Sequence, residues 1–242
     1  MKPFAKLKPM RILVGAPTNE IKNYCLDKYL GTITNLLYPK NLYDIMLVDN
    51  SESTNNTKKI MQMGVNCVHI KPKGKSNQKY IAESQELLRL AALKGNYDYL
   101  LMIESDVIPP LYVIHSLLSH QKQVVGGYYM TGHGSDSFPM KQLVEQDGNL
   151  IRHTLNSDSK RGILSANGKL QEVHNMGFGC VAIHKSVLQN IKFRVEDGSD
   201  SHSDSFFAAD LNFLGIKQYQ DTSLVCDHIN SSWSEVIDFK KS

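Results

Sequence analysis

The sequence predicts an α/β fold, a single domain whose central, mostly parallel mixed sheet is flanked by helices. Three observations carry this reading. Unbroken apolar runs such as Ile12-Leu13-Val14 and Leu100-Leu101-Met102-Ile103 read as strands buried on both faces. Segments with apolar residues at helical spacing lie between such runs, which is the pattern of βαβ units. The 242 residues hold no internal repeat and no linker rich in Pro, Gly and Ser, so one domain over 1–242 is expected.

The elements follow in order. Residues 10–18, MRILVGAPT, predict a buried strand ending in a turn, and 20–37 a helix. Residues 43–50, YDIMLVDN, predict a second strand that ends in a carboxylate, followed by a polar loop and a helix near 56–63. A third strand over 65–70 leads into KPKGKSNQK and a long helix near 76–93, then a strand over 97–103. The second half is less regular. It predicts a helix over 110–120, a strand over 124–129, and turns and hairpins over 131–172 around Asp147-Gly148-Asn149 and Asn167-Gly168-Lys169. A strand over 180–183, a helix near 185–190 and an acidic Ser-rich loop come next. A helix over 206–214 then stops at Gly215, and two short extended pieces follow at 216–219 and 223–226.

Composition bounds the class. Hydrophobic residues are 41 % and charged residues 21 %, ordinary for a globular protein. No run approaches the roughly 18 apolar residues of a membrane span, and no apolar h-region marks a signal peptide. The four cysteines, Cys25, Cys67, Cys180 and Cys226, form no CxxC pair, which predicts free thiols and a cytoplasmic location. The net charge of +3 is unevenly spread, with 13 Lys/Arg against 5 Asp/Glu in residues 1–80. Such a basic first third suits an anionic ligand such as a nucleotide diphosphate, or simply a solvated basic face.

In open α/β sheets ligands bind beyond the carboxyl ends of the strands. Thr18, Asp49 and the triplet Glu104-Ser105-Asp106 fall at those ends. Alternation along a strand predicts that Glu104 and Asp106 share one side, where hard oxygen donors suit Mg²⁺ or Mn²⁺. The same acids also fit as caps or surface charges before the next helix. His228 follows a short apolar strand and is either an ordinary core histidine or a metal ligand. Asp204 opens a helix, as an N-cap or as a general base near a cleft.

Taken together these pieces resemble nucleotide-sugar glycosyltransferases of the GT-A (Rossmann-like) fold, closest to the family 2-like group. The resemblance rests on Gly15-Ala16-Pro17-Thr18, Val48-Asp49-Asn50, the acid-x-Asp triplet, Gly177-Phe178-Gly179 before its strand, and DSFFAADLNFLGIKQYQDTSLVCDH over 204–228. It covers about residues 10–230 and implies a nucleotide-binding half over about 10–106 and an acceptor-binding half, with a C-terminal metal-ligand segment, over 107–242. It implies that Ala16, Pro17, Thr18 and Asp49 line the nucleotide pocket, with Lys75, Asn77 and Lys79 near the base or diphosphate. Asp106 and His228 would hold the Mn²⁺ or Mg²⁺. Glu104 would contact the ribose, or the metal through water, and Ser105 would line the donor site. Asp204 would be the base, with Asp200 nearby as its substitute. The implied activity is transfer of a hexose from a UDP- or GDP-sugar, with inversion, to an acceptor hydroxyl on a polysaccharide, a protein, a lipid-linked glycan or a modified base in DNA. Two departures stand out: the triplet is Glu-Ser-Asp where Asp-x-Asp is commoner, and Ser203 precedes Asp204 where a Glu is commoner. A nucleotidyltransferase making the activated sugar is the rival enzyme, but GAPTNEIKN lacks its Gly-rich basic signature. A non-catalytic module that binds sugar or nucleic acid is the rival binder.

Overall fold

Strands with apolar residues on both sides need cover on both faces, and the computed structural model shows that cover. It describes residues 9–72, 76–131, 138–139, 141–144, 150–151 and 168–229, with backbone alone for 138–151. Lys75 and the Asp147-Gly148-Asn149 turn lie outside the described residues, as does Asn167.

The strands are β1 (Ile12–Thr18), β2 (Tyr43–Asp49), β3 (Asn66–His69), β4 (Tyr99–Ile103), β5 (Val107–Ile108), β6 (Val124–Tyr128), β7 (Met130–Thr131), β8 (Phe138–Pro139), β9 (Lys141–Val144), β10 (Leu150–Ile151), β11 (Leu170–Val173), β12 (Asn175–Met176), β13 (Cys180–His184), β14 (Gln218–Val225) and β15 (Asp227–His228). The helices are α1 (Leu26–Ile33), α2 (Asn55–Gln62), α3 (Asn77–Lys94), α4 (Val113–Ser119), α5 (Lys185–Leu188) and α6 (Ser203–Phe213). Among the described residues the main sheet has eight strands in the order β11-β14-β6-β13-β4-β1-β2-β3. β1, β2, β3 and β4 run parallel, as do β6 and β14. β13 is antiparallel to both β4 and β6, and β11 to β14. The sheet is therefore mixed and mostly parallel, as the sequence predicts.

Alternation on β1 sends Ile12, Val14 and Ala16 to one face and Leu13 to the other. The first face packs on α1, whose buried Leu26, Tyr29, Leu30 and Ile33 follow helical spacing, and on Val113, Ile114 and Leu117 of α4. The second packs on Leu88 and Ala92 of α3, and on Val187, Leu188, Phe207 and Leu211 of α5 and α6. Each fully buried Val, Leu, Ile or Phe side chain among these contributes about 1.5–3 kcal/mol. Phe207 stacks on Phe193 at 5.1 Å and meets Phe178 edge-on at 5.3 Å, which seats the start of α6 against the sheet. Gly215 ends α6 with φ +67°, the left-handed conformation expected of a glycine there.

Three elements depart from the sequence expectation. The predicted helix over 20–37 is a 3-10 turn at Glu20–Lys22, followed by α1. Asn19 accepts from the Ile21 N–H and so closes a separate turn before α1 begins. The two extended pieces near 216–226 are one strand, β14, with a register shift between Asp221 and Val225. α6 starts at Ser203, three residues before the predicted 206, so Asp204 lies within its first turn rather than at the N-cap position, which is His202. All four cysteines are free and buried. Among the described residues no helix is long and apolar enough to cross a membrane.

Candidate active site

The parallel strands deliver Thr18, Asp49, Glu104 and the residues after Tyr128 and Val225 to one edge of the sheet. β13 runs the other way, so its leading Gly177-Phe178-Gly179 segment reaches the same edge. The Glu104 N–H donates to the Gly179 carbonyl at 3.0 Å, and the Val107 N–H donates back to the Glu104 carbonyl at 2.8 Å. Glu104-Ser105-Asp106 is thus a tight turn between β4 and β5, not the extended segment that alternation assumed. The carboxylates are neighbours through the turn. Burial, then the Asp106 charge, pushes the Glu104 carboxyl up to about 7, with the Asp204 charge adding and His228 and Lys22 opposing.

His228 reaches Asp106 through a small ribbon. β15 pairs antiparallel with β5, Asp227 opposite Ile108 and His228 opposite Val107. The Ile229 N–H then donates to the Asp106 carbonyl at 2.7 Å. His228 Nδ1 lies 2.9 Å from the Met130 carbonyl, an acceptor, so Nδ1 carries the proton. In the neutral ring the Nε2 lone pair therefore faces Asp106 Oδ2, 3.4 Å away. Burial disfavours the imidazolium, but the Asp106 carboxylate outweighs it and raises the His228 pKa. Burial likewise opposes the charge on Asp106, and His228 and Lys22 hold it below the ordinary carboxylate value. Tyr129 packs its ring edge-on to His228 at 5.7 Å.

The segment after β1 forms one wall. The Lys22 ammonium contacts Asp106 Oδ2, Cys25 Sγ donates to the Ser105 carbonyl at 3.3 Å, and the Tyr24 hydroxyl donates to the Ile229 carbonyl at 3.0 Å. Sequence reading missed Lys22, Tyr24 and Tyr129. The first two lay in a run read as helix, and the cap residue Asn19, directly after Pro17-Thr18, is the signal that separates them from it.

The remaining expected residues fall as follows. Ala16 and Pro17 lie on β1; Pro17, with no N–H to give, lies beyond Gly15–Met102, where the β1–β4 ladder ends. Thr18 is buried beside Asp49, and its hydroxyl has no hydrogen-bond partner among the described residues. Asp49 accepts from the Ser51 N–H (3.1 Å) and hydroxyl (2.5 Å), Asn56 (3.0 Å) and Thr57 (2.6 Å), which binds β2 to α2. Ser105 is buried in the turn. Asn77 opens α3, and the Lys79 ammonium is engaged by Asp197 of the acidic loop. Asp204 is partly buried, accepts from the Ser205 N–H at 2.8 Å, and its charge reaches both Glu104 and Tyr129. Asp200 is exposed. The structure thus gathers Glu104, Asp106, Asp204 and His228, which come from three distant parts of the chain.

This sheet, with the carboxyl ends of β1, β2, β4, β6 and β14 along one edge, is a GT-A-like, glycosyltransferase-like fold. The sequence matches no protein-family model and no curated protein. Solved structures do match. GalNAc-T7, crystallised with UDP, GalNAc and Mn²⁺, superposes with a TM-score of 0.63 at 12 % identity, over 95 % of this chain and 46 % of that chain. This chain therefore spans less than half of GalNAc-T7, and the likeness is one of fold. A197 from STIV aligns over 92 % of this chain and 87 % of that chain, at 15 % identity and a TM-score of 0.48.

Proposed function

We propose that the protein transfers a hexose from a nucleotide diphosphate sugar to an acceptor hydroxyl, with Asp106 and His228 as metal ligands and Asp204 as the base. The observation that carries this reading is the pair Asp106 Oδ2 and His228 Nε2. Two electron-pair donors face each other at 3.4 Å, an arrangement that asks for a proton or a cation between them. An anionic oxygen and a neutral ring nitrogen fit Mn²⁺ or Mg²⁺. Among the described residues no group of three or more His, Cys, Asp or Glu side chains is arranged to hold a metal ion by itself. Asp106 and His228 would hold the ion together with donor phosphate oxygens and water, the usual way such ions are held with nucleotides. When bound, the ion supplies Lewis-acid stabilisation of the charge that grows on the departing diphosphate.

The side chains supply the rest. Asp204 takes the proton from the acceptor O–H, and the oxygen's electron pair forms the new bond to the anomeric carbon. The bond from that carbon to the β-phosphate oxygen breaks, and the nucleoside diphosphate leaves with the electrons. A single displacement of this kind inverts the anomeric centre. Glu104 lines the donor site beside Asp106. Thr18 places a buried, unsatisfied hydroxyl at the nucleotide edge, with Ala16, Pro17, Asp49, Ser105, Asn77, Lys75 and Lys79 completing the donor side of the proposal. UDP-sugars are the first donors to test, because GalNAc-T7, a neighbour of shared fold, was crystallised with UDP; GDP-sugars follow. A polysaccharide, protein, lipid-linked glycan or modified DNA base remains the acceptor class. The free, buried thiols support a cytoplasmic location.

The test is a thermal-shift screen of nucleotide sugars with and without Mn²⁺, followed by assay of free nucleoside diphosphate. A bound donor raises the melting temperature by mass action. One donor is expected to stand out only when Mn²⁺ is present, and to be turned over. Stabilisation without release of nucleoside diphosphate in the presence of any acceptor class would favour the binding module instead.

A further inference from the structure

We propose that Lys22 holds the cation's place at Asp106 in the donor-free protein and passes to the donor's diphosphate when metal and donor load. The inference rests on Asp106 and His228 being the metal ligands. The Lys22 ammonium contacts Oδ2 of Asp106, the same oxygen that faces His228 Nε2 at 3.4 Å. A buried carboxylate needs a counter-charge. The Lys22 ammonium is in direct contact with this oxygen, whereas His228 Nε2 stands off at 3.4 Å, so Lys22 is the nearer counter-charge.

The contact is built to open from one side. The Asp106 side chain is 5 % exposed and that of Lys22 32 %, so Lys22 is the partner with access to solvent. Its backbone is anchored. Asn19 Oδ1 accepts from the Ile21 N–H at 3.2 Å, Asn19 Nδ2 donates to Asn50 Oδ1 at 2.8 Å, and the Glu20 N–H donates to the Ser51 hydroxyl at 2.8 Å. The turn is therefore tied to the end of β2, and only the flexible four-carbon stem is left to move. A divalent cation on Oδ2 and Nε2 would lie beside the ammonium, and like charges at such range repel strongly. The two cannot share the oxygen. A displaced Lys22, still tethered at the rim, meets the phosphates that arrive with the metal. The metal alone then binds against Lys22, whereas metal and diphosphate together bind with its help, so each favours the other reciprocally.

The test measures Mn²⁺ binding to the full chain by electron paramagnetic resonance, without nucleotide and then with UDP or GDP, for wild type, Lys22→Met, Lys22→Gln and Asp106→Ala. Removing the ammonium is expected to tighten binding of Mn²⁺ alone by about tenfold or more, and to reduce the gain in Mn²⁺ affinity that the nucleotide confers. Wild-type Mn²⁺ affinity and wild-type coupling in both Lys22 variants, with binding lost in Asp106→Ala, overturns the role of Lys22 and leaves the metal site standing. Mn²⁺ binding that survives Asp106→Ala unchanged overturns the metal site, and the role of Lys22 with it.

Discussion

Asp106 and His228 lie half the chain apart, yet Oδ2 of one and Nε2 of the other are 3.4 Å from each other, brought there by the two-residue pairing of β5 with β15. Removing either donor is expected to lower Mn²⁺-dependent release of nucleoside diphosphate by about a hundredfold or more, since even residues one layer behind metal ligands cost tenfold to a hundredfold. Steady-state assay of Asp106→Ala and His228→Ala across a Mn²⁺ titration checks this. Full activity in both would remove the metal assignment.

Asp204 is assigned a proton transfer, which sets a different signature. Asp204→Asn keeps the shape and loses the base, so turnover should fall by about 10²–10⁴-fold while the Kd for donor with Mn²⁺ stays within error of wild type. Calorimetric titration of donor beside a transfer assay separates the two. A variant that transfers normally would move the base elsewhere, with exposed Asp200 the first alternative.

Gly179 has no room for a side chain. A Cβ built there would lie 2.4 Å from Cζ of Tyr129, whose hydroxyl accepts the Gly179 N–H at 2.9 Å. Gly179→Ala is expected to destabilise the fold by about 1–3 kcal/mol through overpacking, read as a lower denaturation midpoint. Because the clash is with the Tyr129 ring, the penalty should shrink in a Tyr129→Ala background. An equal penalty in both backgrounds would show that the ring is not the obstacle.

Asp221 gives the acid limb of the stability profile. Burial works against its charge, but bonds from the Ser223 hydroxyl and N–H and from His120 prevail and hold it below the ordinary carboxylate value. A carboxyl that is more acidic folded than unfolded stabilises the fold above its unfolded pKa of about 3.9. That contribution is lost as pH falls through the lower folded value. Wild type should therefore lose stability on acidification below about pH 4, and Asp221→Asn should be less stable at neutral pH with a flatter acid limb. Parallel limbs in urea melts from pH 3 to 7 would exclude Asp221 as a contributor.

Much of the site was legible in the chain. Glu104, Asp106, Asp204 and His228 follow apolar runs or open a helix, and charges in such places stand out because burying them is costly. Strand alternation predicts the Glu104–Asp106 pairing, but a turn makes them neighbours. Lys22 was not legible, because Ile21, Cys25 and Leu26 sit at spacings that a continuous helix would also show, and only the Asn19 cap interrupts it.

By itself the sequence determined the fold class, most of the strand and helix order, and which residues are candidates for the site. These follow from periodicity and turn chemistry, which act over a few neighbouring residues. Only the tertiary structure decided that β13 enters antiparallel between β4 and β6, that β5 pairs with β15, and that Lys22 meets Asp106. Each of these depends on which hydrogen-bonding edges and charges remain unsatisfied after distant segments pack, and no local pattern records that.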